Sequence, residues 1–305
     1  MPTIKRILCP TDYSEASRHA AEHAVPIARW YGASITCLHT YMPVLLPASH
    51  AAAVSGRHVV PDATELRAWE DAARAPFGAA AGELDVAVVV EMGPTVATIL
   101  EHVSRMPADL IVMGTHGTSG FDHLLLGSVT EKVLRKARCP VLTVPPRAHV
   151  TSKLPFERLM CAVDFSDSSL AALEYAISLA IEADARLTLL HVLEWPWREP
   201  PPPELGEMPE ELARRLEGHR REREEHVRAR LEALLPESVR TASRPDVLIA
   251  NGKAHVEVLR AAAEGSADLI VMGVRGHQRL EVLAFGSSVN QVVRRATCPV
   301  LTVRS

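Results

Sequence analysis

Asp109-Leu-Ile-Val-Met-Gly-Thr-His-Gly117 and Asp268-Leu-Ile-Val-Met-Gly-Val-Arg-Gly276 are two copies of one stretch, 159 residues apart. Each holds a four-residue apolar run between an acid and a glycine, too short for a helix and suited to a buried strand. After nine intervening residues beyond the second glycine, Gly127-Ser128 and Gly286-Ser287 open a helical apolar pattern. The unit is therefore strand, glycine-bounded loop, helix. Residues 107–144 and 266–303 agree without a gap at 20 of 38 positions, which marks a duplication.

Moving outward, Leu8-Cys-Pro-Thr-Asp12 is answered by Met160-Cys-Ala-Val-Asp164 and His39 by His191, both at an offset of 152. From Gly93 and Gly252 onward the offset is 159, so the second copy has gained seven residues between His191 and Gly252. The stretch 145–154 reads as connector. This gives expected domains at 1–146 and 156–305 with a linker at 147–155, each of ordinary domain size. Strands are expected at 4–9, 34–40, 84–90, 109–113 and 140–144, with helices at 14–31, 94–106 and 128–137, and the same series in the second copy. Such alternation predicts a parallel sheet covered on both faces. Residues 195–236 are set apart from that core: a proline run, then a charge-dense amphipathic helix over 210–235, expected as a solvated cover or as a lid or partner-binding arm.

The chain has 305 residues, 47% of them hydrophobic and 23% charged, with a net charge of −4. This composition argues against whole-chain disorder and against a broad basic footprint for nucleic acid. No apolar stretch reaches membrane-span length, and the N-terminus is read as lacking a leader. Five cysteines without C-x-x-C spacing exclude a disulfide framework or zinc ribbon; they read as small buried residues. His19 and His23 share a helix face but specify no third ligand, so exposed helix histidines are expected.

The doubled G-x-x-G-x9-G-S spacing has the chemistry of a phosphate cradle. Glycine brings backbone amides close to an anion, and a helix N-terminus adds its dipole. No Walker A loop is present. A structural alternative is a capping box, Ser128 with Glu131 and Ser288 with Gln291. Asp12 and Asp164, after the first strand of each copy, either cap the following helix or face the crevice where the strand order reverses.

Taken together, these motifs, with Leu38-His39-Thr40, Leu190-His191-Val192 and the endings Arg138-Cys-Pro-Val-Leu-Thr-Val144 and Thr297-Cys-Pro-Val-Leu-Thr-Val303, make the chain resemble the universal stress protein family in tandem form. The resemblance implies two doubly wound α/β domains, each a five-stranded parallel sheet in the order 3-2-1-4-5. It implies a Rossmann-like, adenine nucleotide alpha hydrolase-like fold, with the halves packed as an intrachain pseudo-dimer through 141–144 and 300–303.

The resemblance also implies ATP with magnesium as ligand. It places Pro10, Thr11, Asp12, Val163 and Asp164 near adenine and ribose, and Thr40 and Val192 beside the base. Met113, Gly114, Met272 and Gly273 would run along the ribose and first phosphate. Gly117, Gly127, Ser128 and Val129, and Gly276, Gly286, Ser287 and Ser288, would hold phosphates. Thr130 offers a hydroxyl that Val289 lacks, and Gly120 is replaced by Arg279. His116 is a candidate base or phosphate donor, and Arg275 a source of positive charge. The expected activity is that of a cytoplasmic, nucleotide-dependent stress sensor with an unidentified protein partner. A slow ATP-hydrolysing enzyme, or a scaffold with unoccupied pockets, are the alternatives. A further homodimer is left open.

Overall fold

A computed structural model describes residues 3–42, 61–116, 126–146, 148, 156–194, 210–242, 245–274 and 286–304. In chain order the first copy contributes β1 (Arg6–Thr11), α1 (Glu15–Tyr31), β2 (Ser34–Tyr41), α2 (Ala63–Arg74), a 3₁₀ segment (Ala75–Gly82), β3 (Val86–Met92), α3 (Thr95–Arg105), β4 (Leu110–Gly114), α4 (Ser128–Lys136) and β5 (Val141–Val144). The second contributes β6 (Arg158–Ala162), α5 (Asp167–Ala183), β7 (Arg186–Leu193), α6 (Glu210–Ala233), α7 (Glu237–Ala242), β8 (Asp246–Asn251), α8 (Ala254–Glu264), β9 (Leu269–Gly273), α9 (Ser287–Arg295) and β10 (Val300–Val303).

All ten strands form one sheet, ordered β3-β2-β1-β4-β5-β10-β9-β6-β7-β8. Within each copy every pair is parallel, in the expected order. The copies join where β5 meets β10 antiparallel, Val141 opposite Thr302, Leu142 opposite Leu301 and Thr143 opposite Val300. Because residues 142 and 301 are equivalent, the local two-fold axis passes between these two leucines. The seam hydroxyls are buried and satisfied: Thr143 Oγ1 donates to Val300 O and Thr302 Oγ1 to Val141 O, each at 3.1 Å.

Successive strand residues alternate between two cores, as strand geometry requires. Ile7, Cys9, Ile35, Cys37 and Val112 pack with Ala20, Ala24 and Ile27 of α1. Leu8, Leu38, Ile111 and Met113 pack with Ile99 of α3 and with Val133 and Leu134 of α4. The acid that opens each quoted stretch zips β4 to β1 and β9 to β6. Asp109 Oδ2 accepts the amides of Lys5 and Arg6 at 2.8 and 2.9 Å, and Asp268 Oδ2 those of Glu157 and Arg158 at 2.7 and 3.1 Å.

Two expectations are corrected. The helix of the 195–236 segment is no excursion from the core, because α6 is the crossover between β7 and β8, the counterpart of α2. Leu231 at its C-terminal end is fully buried, joined by Leu235 and by Val239 of α7. His19 and His23 are not exposed. His23 is buried, and half-buried His19 reaches through Nε2 to the carbonyl of Ala148 at 2.6 Å, pinning the connector to α1.

Candidate functional site

β1 lies between β2 and β4, while the chain runs β1, β2, β3 to one side before returning to β4 on the other. That reversal splays the loops after β1 and β4 and opens a crevice beyond their carboxyl ends. Thr11 and Asp12 therefore face the same crevice as Gly114, and Val163 and Asp164 the same one as Gly273, between β6 and β9.

The first glycine of each motif is a packing requirement. A Cβ on Gly114 would lie 2.8 Å from Ala16 O, and one on Gly273 2.5 Å from the backbone carbon of Ser168. The strand end and the first turn of α1 or α5 touch backbone to backbone, and only glycine allows that approach.

The acids do not cap the helices. Ser14 and Ser166 are the N-caps, accepting the amides of Ser17 and Ser169. Asp12 Oδ1 accepts the Ser14 amide at 3.1 Å, and Asp164 Oδ1 the Ser166 amide at 3.0 Å and hydroxyl at 2.5 Å. Asp12 is exposed and Asp164 half-buried.

Between acid and cap stands an aromatic residue in the left-handed region, Tyr13 and Phe165, both with φ 63°. Each packs on the histidine at the end of the second strand, with ring centroids 4.3 Å apart for Tyr13 and His39 and 5.0 Å for Phe165 and His191. The histidines donate from Nδ1 to the carbonyls of Thr11 at 3.0 Å and Val163 at 2.7 Å, fixing the strand end from which the acid projects. Burial holds both imidazoles below their ordinary pKa, against the opposing pull of these hydrogen bonds and of Asp12 and Asp164. The crossover helices complete the clusters differently: Trp69 of α2 accepts Tyr13 Oη on its carbonyl at 3.2 Å, whereas Arg230 of α6 lies 3.8 Å from the Phe165 ring centroid. Sequence reading missed Tyr13 and Phe165, although an aromatic after the acid recurs at the same offset of 152.

Gly127 and Gly286 are the N-caps of α4 and α9, and among the described residues no side chain caps either helix. The capping-box expectation fails because Ser128 is the first and Ser288 the second helical residue, one and two places too late to cap. Ser128 and Ser287 are exposed, and Val129 and Ser288 are half-buried. Thr130 is buried and spends its hydroxyl on Gly114 O at 2.9 Å, which ties α4 to β4 and turns the group inward, away from the phosphate role expected of it. Met113 and Met272 are buried in the core under α3, α4, α8 and α9. Thr40 Oγ1 donates to Thr95 Oγ1 at 3.0 Å, Val192 is half-buried, and Pro10 lies within β1. His116 Nδ1 is 2.8 Å from Thr115 Oγ1. Gly117, Gly120, Arg275, Gly276 and Arg279 lie outside the described residues.

Among the described residues no three His, Cys, Asp or Glu side chains gather as a metal site, and no helix is long and apolar enough to cross a membrane. Cys9, Cys37 and Cys161 are buried, with Cys139 and Cys298 half-buried; burial pushes Cys37 up to about 12 and Cys139 up to about 11, so they persist as thiols.

Comparison with known proteins gives concordant results. A universal stress protein of Methanocaldococcus jannaschii is 35% identical over 142 residues, covering 46% of this chain and 81% of its own length. One from Mycolicibacterium smegmatis is 28% identical over 319 residues, covering 98% of this chain and 96% of its own. The crystal structure of a universal stress protein from Archaeoglobus fulgidus superposes with a TM-score of 0.58 at 22% identity, over 98% of this chain and 96% of that one. The family's sequence profile matches residues 3–145 and again residues 155–304. With one switch-point architecture built twice and matched twice, this chain belongs to the universal stress protein family.

Proposed function

We propose that each crevice binds an adenine nucleotide, ATP foremost, and that the protein works as a nucleotide-dependent stress regulator. The observation that carries this reading is the pair of helix N-termini, α4 and α9, each with a glycine N-cap that offers no capping side chain, beside a switch-point crevice that also holds an acid. A helix start leaves backbone amides without intrahelical partners, and an anion can take them. In this reading the amides of Ser128 and Val129, and of Ser287 and Ser288, receive phosphate oxygens. Asp12 and Asp164 accept from the ribose hydroxyls or the adenine amine. Magnesium would come with the nucleotide and neutralise adjacent phosphate charge.

The test uses a variant that separates fold from ligand. Gly127→Asp and Gly286→Asp supply a carboxylate N-cap, which should leave folding stability unchanged or raised by a few tenths of a kcal/mol. The same charge competes with phosphate for the amides and repels it, so ATP affinity by calorimetry should fall at least about tenfold, equivalent to about 1.4 kcal/mol. Nucleotide released on denaturing freshly purified protein provides an independent readout. If no nucleotide is released and millimolar ATP gives no heat, the scaffold reading replaces this one. If His116→Ala abolishes ATP turnover at unchanged affinity, the protein is a slow hydrolase.

A further inference from the structure

A cavity of about 880 Å³ opens at the foot of the second repeat, at the amino ends of β6, β7 and β8 and below the C-terminal turn of α8. That volume is within the roughly 300–1,000 Å³ of small-molecule sites. The second crevice lies at the other end of the sheet, beyond the carboxyl ends of β6 and β9. Strand register sets the floor of the cavity. Arg158 pairs with Arg186, Met160 with Thr188 and Thr188 with Asp246, and residues in register on parallel strands share a face. That face is the one under α8, whose Ala261 and Gly265 form the roof. The cavity continues round the foot of β8 to Arg228 and Leu235 on the α6 side.

We propose that this cavity binds a carboxylate on a short aliphatic chain, the chain lying against Met160, Leu248 and Ala261 and the carboxylate on Arg158. Comparison of the repeats shows how the space arises. At the position of Ala261 the first repeat has His102, a buried imidazole whose Nδ1 is 3.0 Å from Glu91 Oε1, and Arg105 Nη2 holds the same carboxylate at 2.7 and 2.8 Å. The second repeat has Ala261, Ala250 and Glu264 at these three places, so the ring and its buried ion pair are gone. The mouth has changed as well: Ser34 becomes Arg186 and Ala87 becomes Asp246. Leu248 on the floor is 44% exposed, apolar surface that an aliphatic chain would cover.

Four arginines and three acids stand on the wall. Two of the acids are engaged: Arg186 Nε and Nη2 hold Asp246 Oδ2 at 2.7 and 2.6 Å, and Arg260 Nη1 holds Glu264 at 2.8 and 2.9 Å. The third, Glu232, is on the α6 side, and Arg240 pairs with Glu237. Arg158 Nε donates to Ser266 O at 2.8 Å and Arg228 Nη1 to Val247 O at 2.9 Å, and among the described residues neither has a carboxylate within ion-pair distance. Asp268, which feels the charge of Arg158, is occupied by the amides of Glu157 and Arg158. A guanidinium carries five N–H donors in a planar fork. One of them fixes Arg158 in place, and the outer edge of the fork matches a carboxylate.

The test is titration of hexanoate and of hexanol into the full chain, read by calorimetry and by the shift in unfolding temperature, since a ligand of the folded state raises it. Hexanoate should bind at millimolar concentration, about tenfold more tightly than hexanol. Arg158→Gln should bring hexanoate down to the affinity of hexanol and leave hexanol unchanged. Ala261→Leu should abolish both responses by filling the cavity. Saturating ATP should leave hexanoate binding unchanged; competition would assign the anion to a crevice and overturn the proposal. Absence of any response from the unmodified protein, equal binding of the acid and the alcohol, or a response that survives Ala261→Leu would overturn it too. The acid-to-alcohol ratio and the ATP competition need no variant, so they decide the matter even if a substitution impairs folding.

Discussion

A methyl group added at Gly273 would sit 2.5 Å from the Ser168 backbone, and one at Gly114 2.8 Å from Ala16 O. Neither neighbour is a side chain that can swing away, so α5 or α1 must back off its strand. Gly114→Ala and Gly273→Ala should each destabilise by about 1–3 kcal/mol, as overpacking does. At Gly286 the nearest contact would be an ordinary 3.4 Å, so Gly286→Ala should lower the urea midpoint only by the loss of a glycine N-cap, less than about 1 kcal/mol. A second residue-scale expectation concerns His39 and His191. Their folded pKa lies below the ordinary 6.5 because burial disfavours the cation. The unfolded chain therefore takes up protons first as pH falls. The stability these groups contribute is fully present above pH 6.5 and is lost as pH drops from there toward the folded value. Unfolding midpoints between pH 8 and pH 5 should decline over that window, and His39→Gln with His191→Gln should flatten the decline. Burial sets the depression; Asp12 opposes it at His39, and at His191 Asp164 opposes it while Arg230 and Arg223 add to it.

At the scale of elements, α6 is the instructive case. Its 24 residues are dominated by Glu and Arg, and its middle turns stand in solvent. The helix is nevertheless anchored by its last turns, where Leu231 is fully buried and Arg228 Nη1 caps the carbonyl of Val247 on the edge strand β8 at 2.9 Å. In the first repeat Arg74 of α2 makes the matching contact to Val86 O on the opposite edge strand, β3, at 3.2 Å. An arginine from each crossover helix thus occupies an edge acceptor that would otherwise invite strand addition. Leu231→Ala should cost about 2–5 kcal/mol through the cavity it leaves. Glu222→Ala, nine residues earlier on a side chain 78% exposed, should be neutral within about 0.5 kcal/mol. Equal effects at the two positions would mean that α6 is not docked as described.

At the scale of the whole molecule, the ten-stranded sheet is continuous only because β5 and β10 pair. Both are four residues long and buried throughout, with the sequence Val-Leu-Thr-Val. A fragment ending at Pro146 would expose the β5 edge, together with Leu142 and the unpaired Thr143 hydroxyl. It should dimerise through that edge or aggregate, as sedimentation or light scattering would show. A fragment that stays monomeric at high concentration would mean that the edge is protected in another way. Ala148 is held as well, buried against α1 and bonded through its carbonyl to His19. The repeats therefore meet through a strand ladder and through the hydrogen bond from Tyr31 Oη to Glu182 Oε2.

The sequence by itself determined the duplication, the alternation of strands and helices and the two-sided burial of a parallel sheet. Those follow from apolar period and internal offset, whereas the strand order 3-2-1-4-5, and with it the crevice at the reversal, was legible only through the family resemblance. Strand ends were legible to within about two residues because each short run is bounded by Asp, Gly or Pro. Other features depended on residues distant in the chain. Whether Asp12 or Ser14 caps α1 turns on a two-residue shift in where the helix begins, and packing against β4 decides that shift. The close approach of Gly114 to Ala16 spans 98 positions and leaves no periodic trace. α6 read as a solvated cover or as a lid or partner-binding arm because a few apolar residues among many charges carry little weight in a local pattern, yet Leu231, with Val227 beside it, packs into the core. The β5–β10 seam exists only after two copies are apposed, since each supplies one strand. Tertiary structure decided these points because they are contacts between surfaces, and the folded sheet brings those surfaces together.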